Sequence, residues 1–187
     1  IYYIHIPKTG GSSIERALKL HNMYSPYNYK LLTGKQLCKS LYHEPVFNLN
    51  INFNNDICFV TVRKPFDRFI SNVKWLNYIM TKQPKNIVKI TSLEETLNDL
   101  ENVNKIRKNL FDTDCHYVEQ IEYLYDIYGN KCTNIIRMEN MQEDINLFFK
   151  KYGLDPIEIK KYNSTQNKKD IKLTREQKRI IYNFYKK

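Results

Sequence analysis

Apolar residues recur along the chain with two different periods. Residues 1–6 (IYYIHI) are β-branched and aromatic, which predicts a strand, and Pro7 with Gly10-Gly11 breaks it before a helix-forming run over 12–20. Residues 33–41 read as a short helix, and 43–56 as an irregular stretch opened by His43-Glu44-Pro45. Residues 57–62 (ICFVTV) form a continuous apolar run of strand length, the pattern of a central parallel strand buried on both faces. Pro65 suits the first position of a helix, and Phe66, Phe69, Ile70, Val73, Leu76 and Ile79 or Met80 follow at helical spacing. Ser92 with Glu95 gives a capping box for a helix over 93–106, while Tyr117, Ile121, Leu124 and Ile127 or Tyr128 predict another that stops at Gly129. Residues 132–138 read as a third strand and 141–152 as a helix ended by Gly153. A polar loop follows over 162–170, and Thr174 with Gln177 caps a terminal helix.

Strands alternating with helices predict an α/β fold: a three-layer sandwich with a mostly parallel central sheet flanked by helices. The chain has 187 residues and shows neither an internal repeat nor a linker, so the expectation is one domain over 1–187. No apolar run approaches the roughly 18–20 residues needed to span a bilayer. The sequence starts at Ile1 inside a strand and without an initiator Met, which leaves room for an anchor or targeting segment upstream.

Thirty Lys and Arg against 20 Asp and Glu give a net charge of +10, which favours anionic partners. Abundant Asn, Lys, Ile and Tyr are also what an A/T-rich gene supplies, so charge alone selects no partner. Cys38, Cys58, Cys115 and Cys132 form no CxxC pair and no zinc-like spacing. Cys58 falls in the apolar strand and is expected in the core; a Cys115–Cys132 bridge is open in an oxidising compartment.

The chemistry is expected where strands meet helices. Pro7-Lys8-Thr9-Gly10-Gly11-Ser12-Ser13 lies between a strand and a helix start, where glycines let successive N–H groups converge on an anion and hydroxyls add donors. The loop is P-loop-like, yet Lys8 precedes Gly10 and Gly11, whereas a triphosphatase loop places its lysine after the glycines. The second candidate is Arg63, at the carboxyl end of the 57–62 strand, with Ser71 two turns into the following helix. An arginine there points into the crevice where open α/β sheets bind ligands, and its fork suits a phosphate. Asp67 and Arg68 read as helix-surface residues or as an ion pair holding the helix end.

HIPKTGGSSI and FVTVRKPFDRFISNV together resemble the two nucleotide-binding signatures of Golgi-type carbohydrate sulfotransferases, the family of the heparan and chondroitin enzymes. Weaker similarities continue in HYVEQIEYL (116–124), IRMENMQEDINL (136–147) and Asn163-Ser164-Thr165, so the resemblance covers almost the whole chain. It implies a donor, 3′-phosphoadenosine 5′-phosphosulfate, with 3′-phosphoadenosine 5′-phosphate as the product. Lys8, Thr9, Gly10, Gly11, Ser12 and Ser13 would surround the 5′ end, Arg63 and Ser71 the 3′-phosphate, and Asn163 with Ser164 the adenosine. Lys8 would neutralise the departing phosphate oxygen, and no metal is expected. The resemblance also implies the Golgi lumen and a membrane-anchored precursor; a parasite or large virus would allow another compartment.

The acceptor hydroxyl has to lose a proton, and His5, His21, His43 and His116 are the histidines. His43 lies where related heparan enzymes place a catalytic histidine and is the first candidate base, with Glu44 the fallback. His116 followed by Gln120 resembles a family motif and either shapes the acceptor site or serves packing. Tyr24, Tyr27 and Tyr29 are candidate sugar-stacking platforms. The reaction expected is transfer of a sulfuryl group to a carbohydrate hydroxyl, without nucleic acid as a partner and without membrane contact in this segment. Alternatives are a non-catalytic basic module for glycan or RNA, and a nucleotide-dependent kinase, which the loop order disfavours.

Overall fold

The computed structural model describes residues 1–18, 43–82, 93–94, 96–98, 100, 115–162 and 171–186, with backbone alone for 77–82. The expected helix over 33–41, the capping box of Ser92 and Glu95, Cys38, His21, the tyrosines at 24, 27 and 29, and Asn163 with Ser164 lie outside these residues. The chain forms two compact units, each from two stretches of sequence: Ile1–Arg63 with Phe111–Asn163, and Lys64–Leu110 with Ser164–Lys187. The first passage between them falls inside the arginine motif, at Arg63–Lys64, where no linker composition marks it.

The first unit holds a three-stranded parallel sheet in the order β1 (Tyr2–Ile4), β2 (Cys58–Val62), β3 (Ile135–Arg137). The fold is therefore α/β with a parallel sheet and flanking helices, as the alternating periods predict. Register places Tyr3 beside Phe59 and Thr61 beside Ile136, so these four side chains share one face of the pleat. Onto that face pack Ile14 from α1 (Gly11–Ala17) and Ile145, Phe148 and Phe149 from α3 (Met141–Lys151). Phe59 lies between Tyr3 and Phe148, with ring centroids 5.0 and 4.8 Å away. Each of these fully buried aromatics contributes about 2–3 kcal/mol from apolar area alone. Arg137, at the end of β3, donates two side-chain bonds of 2.9 and 2.7 Å and its backbone N–H to Asp144 of α3. Those bonds hold the Asp144 carboxyl below its usual range.

The second unit pairs the amphipathic α2 (Pro65–Lys82) with α4 (Arg175–Tyr185). Phe69 and Val73, one turn apart on α2, and Ile181 and Phe184 of α4 are all buried, so each helix hides one stripe. Thr174 caps α4 reciprocally with Gln177, the capping box expected from sequence. Arg68 departs from the surface reading: it is 1% exposed, its guanidinium 6.0 Å from the ring centre of Tyr185. Among the described residues no helix is long and apolar enough to cross a membrane.

Residues 117–128 do not form the predicted helix. They make a 3-10 turn at Gln120–Tyr123, then an antiparallel bridge of Tyr125 with Lys131. The apolar spacing that suggested a helix is overridden by turn chemistry: Gly129 has φ +80°, and Asp126 captures the chain on both sides. Its carboxylate accepts the N–H of Phe53 at 2.8 Å, those of Tyr128 and Asn130 at 2.9 Å, and the Asn130 amide at 3.0 Å. Ile121, Ile127 and Tyr128 are left exposed as a result.

All three described cysteines are free and buried, so the Cys115–Cys132 bridge is not formed. Burial pushes the Cys58 thiol up to about 12 and that of Cys132 up to about 11.

Asp126 yields a test of fold stability. Burial alone would raise its pKa, but its hydrogen bonds outweigh burial and hold it below the ordinary 3.8. Its contribution is thus complete above the unfolded-state value and is lost as pH falls through the lower folded-state value. Asp126→Ala should cost about 2–3 kcal/mol at neutral pH by stranding its donors. Urea unfolding should give wild type and variant stabilities that converge as pH drops below 4, roughly the unfolded-state value.

Candidate active site

The site begins with a buried hydroxyl chain at the carboxyl end of β1. Thr9, fully buried, donates its hydroxyl proton to the Ile6 carbonyl at 2.7 Å. That oxygen also contacts the Thr61 hydroxyl at 2.7 Å, so with its own proton spent it accepts from Thr61. Thr61 in turn accepts from the Tyr3 hydroxyl at 2.8 Å. Proton direction is fixed from Tyr3 through Thr61 to Thr9, and the lysine-glycine loop is pinned to the central strand. The Thr9 hydroxyl is thereby committed within the protein, leaving its backbone N–H as the group it can turn to a ligand.

Beyond this anchor the backbone alternates in hand. Lys8 has φ +67° and Gly10 +89°, and residues of opposite hand in succession turn their N–H groups to one side, the geometry of an anion nest. For Lys8 the left-handed conformation costs about 1 kcal/mol, strain of the kind retained at functional sites. Gly10 precedes α1 without a side-chain cap, so the first-turn amides of Gly11 and Ser12 have no intrahelical acceptor. A Cβ on Gly11 would overlap the imidazole of His5, which makes glycine obligatory there. Ser13 accepts the Tyr162 N–H at 2.9 Å, and the Arg16 guanidinium lies 3.0 Å from the centre of the Tyr162 ring. The segment leading to Asn163 is thus fastened to α1.

Arg63 joins this loop from 55 residues away, its guanidinium donating to the Lys8 carbonyl at 3.3 Å. Gln120 brackets the Arg63 backbone, accepting its N–H and donating to its carbonyl, both at 2.9 Å. The fold therefore brings the two motifs together at Lys8 and Arg63. Ser71 belongs to α2 of the second unit.

Three histidines gather beside the loop. The ring of His43 lies edge-on to His5 at 4.8 Å and to His116 at 5.4 Å between centroids. His5 Nδ1 meets Glu15 at 2.7 Å, a link from β1 to α1 that keeps the ring against Gly11. His43 Nδ1 faces the His5 carbonyl at 3.4 Å. A carbonyl only accepts, so the proton sits on Nδ1 and Nε2 is the basic nitrogen. Glu44 is a different case: it is 1% exposed and accepts from the Asn48 side-chain amide, which seals it away from an acceptor. The Tyr123 hydroxyl holds the His43 carbonyl at 3.2 Å. Among the described residues no cluster of His, Cys, Asp or Glu is arranged to hold a metal ion.

Sequence reasoning missed Thr61 and Glu15, and it named Gln120 only beside His116, not as the clamp on the Arg63 backbone. A threonine inside an otherwise apolar strand was the available signal for the first. Gln120 and Glu15 act through pairings over 57 and 10 residues, which no local pattern reveals.

Comparison with known proteins gives one result. The model of the sulfotransferase family matches residues 1–187, the full length of the chain. Neither the curated proteins nor the solved structures contain a match.

The contact of Gly11 with His5 can be tested by a double-mutant cycle. Gly11→Ala alone should lower stability by about 1–3 kcal/mol, because His5 is held by Glu15 and cannot yield. In a His5→Ala background the same change should cost almost nothing. Thermal unfolding of the four proteins reads the coupling.

Proposed function

The chain belongs to the sulfotransferase family, and from that premise we propose that it transfers a sulfuryl group from 3′-phosphoadenosine 5′-phosphosulfate to a carbohydrate hydroxyl. The observation that carries the reading is the meeting of the two motifs, the Arg63 guanidinium on the Lys8 carbonyl. It sets the Arg63 guanidinium against a loop whose first-turn amides at Gly11 and Ser12 have no intrahelical acceptor, at the ends of two neighbouring strands, which suits a donor with phosphate at both ends. The amides from Gly10 to Ser12 face the 5′-phosphosulfate, and Arg63 addresses the 3′-phosphate.

Transfer is an in-line displacement. The acceptor oxygen forms its bond to sulfur as the bond from sulfur to the 5′-phosphate oxygen breaks, and negative charge grows on that leaving oxygen. The Lys8 ammonium and the loop amides stabilise it, acting where charge develops. His43 Nε2 takes the acceptor proton, and the His5 carbonyl at Nδ1 fixes the tautomer that leaves Nε2 able to do so. Glu15 and Gln120 act through their neighbours, holding His5 and Arg63 in place.

Calorimetric titration with 3′-phosphoadenosine 5′-phosphate should give micromolar, metal-independent binding; preference for Mg²⁺-ATP would overturn the donor assignment. Lys8→Gly separates charge from backbone, because glycine keeps the left-handed conformation without strain. That variant should be as stable as wild type and bind the nucleotide, yet turn over roughly 10²-fold more slowly. Arg63→Ala should instead weaken nucleotide binding by about 10- to 100-fold.

His43→Ala should retain nucleotide affinity and lose roughly 10²- to 10⁴-fold in turnover, the scale of a missing general base. Full activity in this variant, measured against a saccharide acceptor screen, would remove His43 from the mechanism.

A further inference from the structure

Tyr123 carries a hydroxyl that packing does not require. Its side chain is fully buried on the 3-10 turn Gln120–Tyr123, where a phenylalanine would fill the same space. The hydroxyl reaches backbone carbonyls in two distant segments, that of His43 at 3.2 Å and that of Cys115 at 3.5 Å. Carbonyls only accept, so the phenolic proton is the donor to both. The first carbonyl belongs to His43 itself and the second to the residue before His116. Their imidazoles lie 5.4 Å apart between centroids, so one buried proton ties together the two backbones that present them.

The other end of the same turn does a matching job for Arg63, whose backbone N–H and carbonyl are both held by the Gln120 side chain. The side chains of the two clamped residues then address carbonyls three residues apart: His43 Nδ1 that of His5 at 3.4 Å, and Arg63 that of Lys8 at 3.3 Å. Both contacts are near the upper limit for a hydrogen bond, so a small drift of either backbone would end them. The segment after His43 rests on this turn as well, through its own 3-10 turn Val46–Asn48. All of these residues belong to the first unit. We infer that Tyr123 is the positioning residue for His43: its hydroxyl holds the backbone where Nδ1 meets the His5 carbonyl, which keeps the proton there and leaves Nε2 the basic nitrogen. The inference rests on the reading of His43 as the base and deepens it. Proton acceptance and donor binding are set from opposite ends of one turn, Tyr123 acting on the first and Gln120 on the second. A tyrosine that only filled space would act on neither.

The test uses the full chain with nitrogen-labelled histidines, read by the ring-nitrogen NMR shifts of His43 at mildly alkaline pH, where imidazole is neutral. Affinity for 3′-phosphoadenosine 5′-phosphate is titrated on the same proteins. The wild type should show His43 as the Nδ1–H tautomer. Tyr123→Phe keeps the ring and removes the hydroxyl; it should move the tautomer ratio about three- to tenfold towards Nε2–H, the weight of one hydrogen bond, and leave nucleotide affinity unchanged. Gln120→Ala should do the reverse, weakening nucleotide binding by about three- to tenfold without altering the tautomer. An unchanged His43 tautomer in Tyr123→Phe would overturn the inference, as would a loss of nucleotide affinity there equal to that of Gln120→Ala, the mark of a turn that has merely loosened. The Nε2–H form in the wild type would overturn it without any variant. Full turnover in His43→Ala would instead strike the reading of His43 as the base, a result the tautomer measurement keeps distinct.

Discussion

A threonine in the central strand holds the site together. Thr61 is fully buried between hydrophobic neighbours, a position where valine would fill the same space. An unpaired hydroxyl there would cost about 1–3 kcal/mol, yet both of its hydrogen-bonding directions are satisfied, by Tyr3 from β1 and by Thr9 from the loop. Because the chain of protons runs one way, the loop has a single depth at which all three hydroxyls are paired. That depth sets where Lys8 turns left-handed, and so where its carbonyl waits for Arg63. The polar residues of the core thus fix the position of a loop whose glycines would otherwise allow many.

The same logic explains what could be read from the sequence. Elements fixed by neighbours in the chain were legible: Pro65 opens α2, Gly153 follows α3, and Thr174 with Gln177 caps α4. The buried strand was legible because ICFVTV has no polar alternation. The region after Tyr117 was not, because its apolar spacing imitates a helix while Asp126 draws its partners from residue 53 as well as from its own turn. Arg68 was misjudged for a related reason: a charged residue on a helix is ordinarily exposed, and only α4, more than a hundred residues later, covers it.

At the candidate site, residue types were more legible than their duties. Lys8 and Arg63 meet, the Arg63 guanidinium on the Lys8 carbonyl. Thr9 and Ser13, which read equally well as ligand donors, spend hydrogen bonds on Ile6 and Tyr162. Glu44 and His43 are adjacent in sequence and opposite in environment, one sealed against Asn48, the other set among two more imidazoles. Hydroxyls and carboxylates serve a fold and a ligand with the same atoms, so only placement separates the two uses.

The interleaving of the two units bears on how the polypeptide emerges during synthesis. β2 lies in the middle of the sheet, yet the residues of β3 that pair with it lie 75 residues further along the chain, Val60 with Ile135 and Val62 with Arg137, with much of the second unit's sequence in between. At elongation rates of roughly 5–20 residues per second the apolar edge of β2 waits several seconds for that partner. An unpaired strand of this composition is a template for association between nascent chains. Slower initiation or chaperone supply, by keeping such chains apart, should therefore govern the yield of folded protein more than the stability of the finished fold.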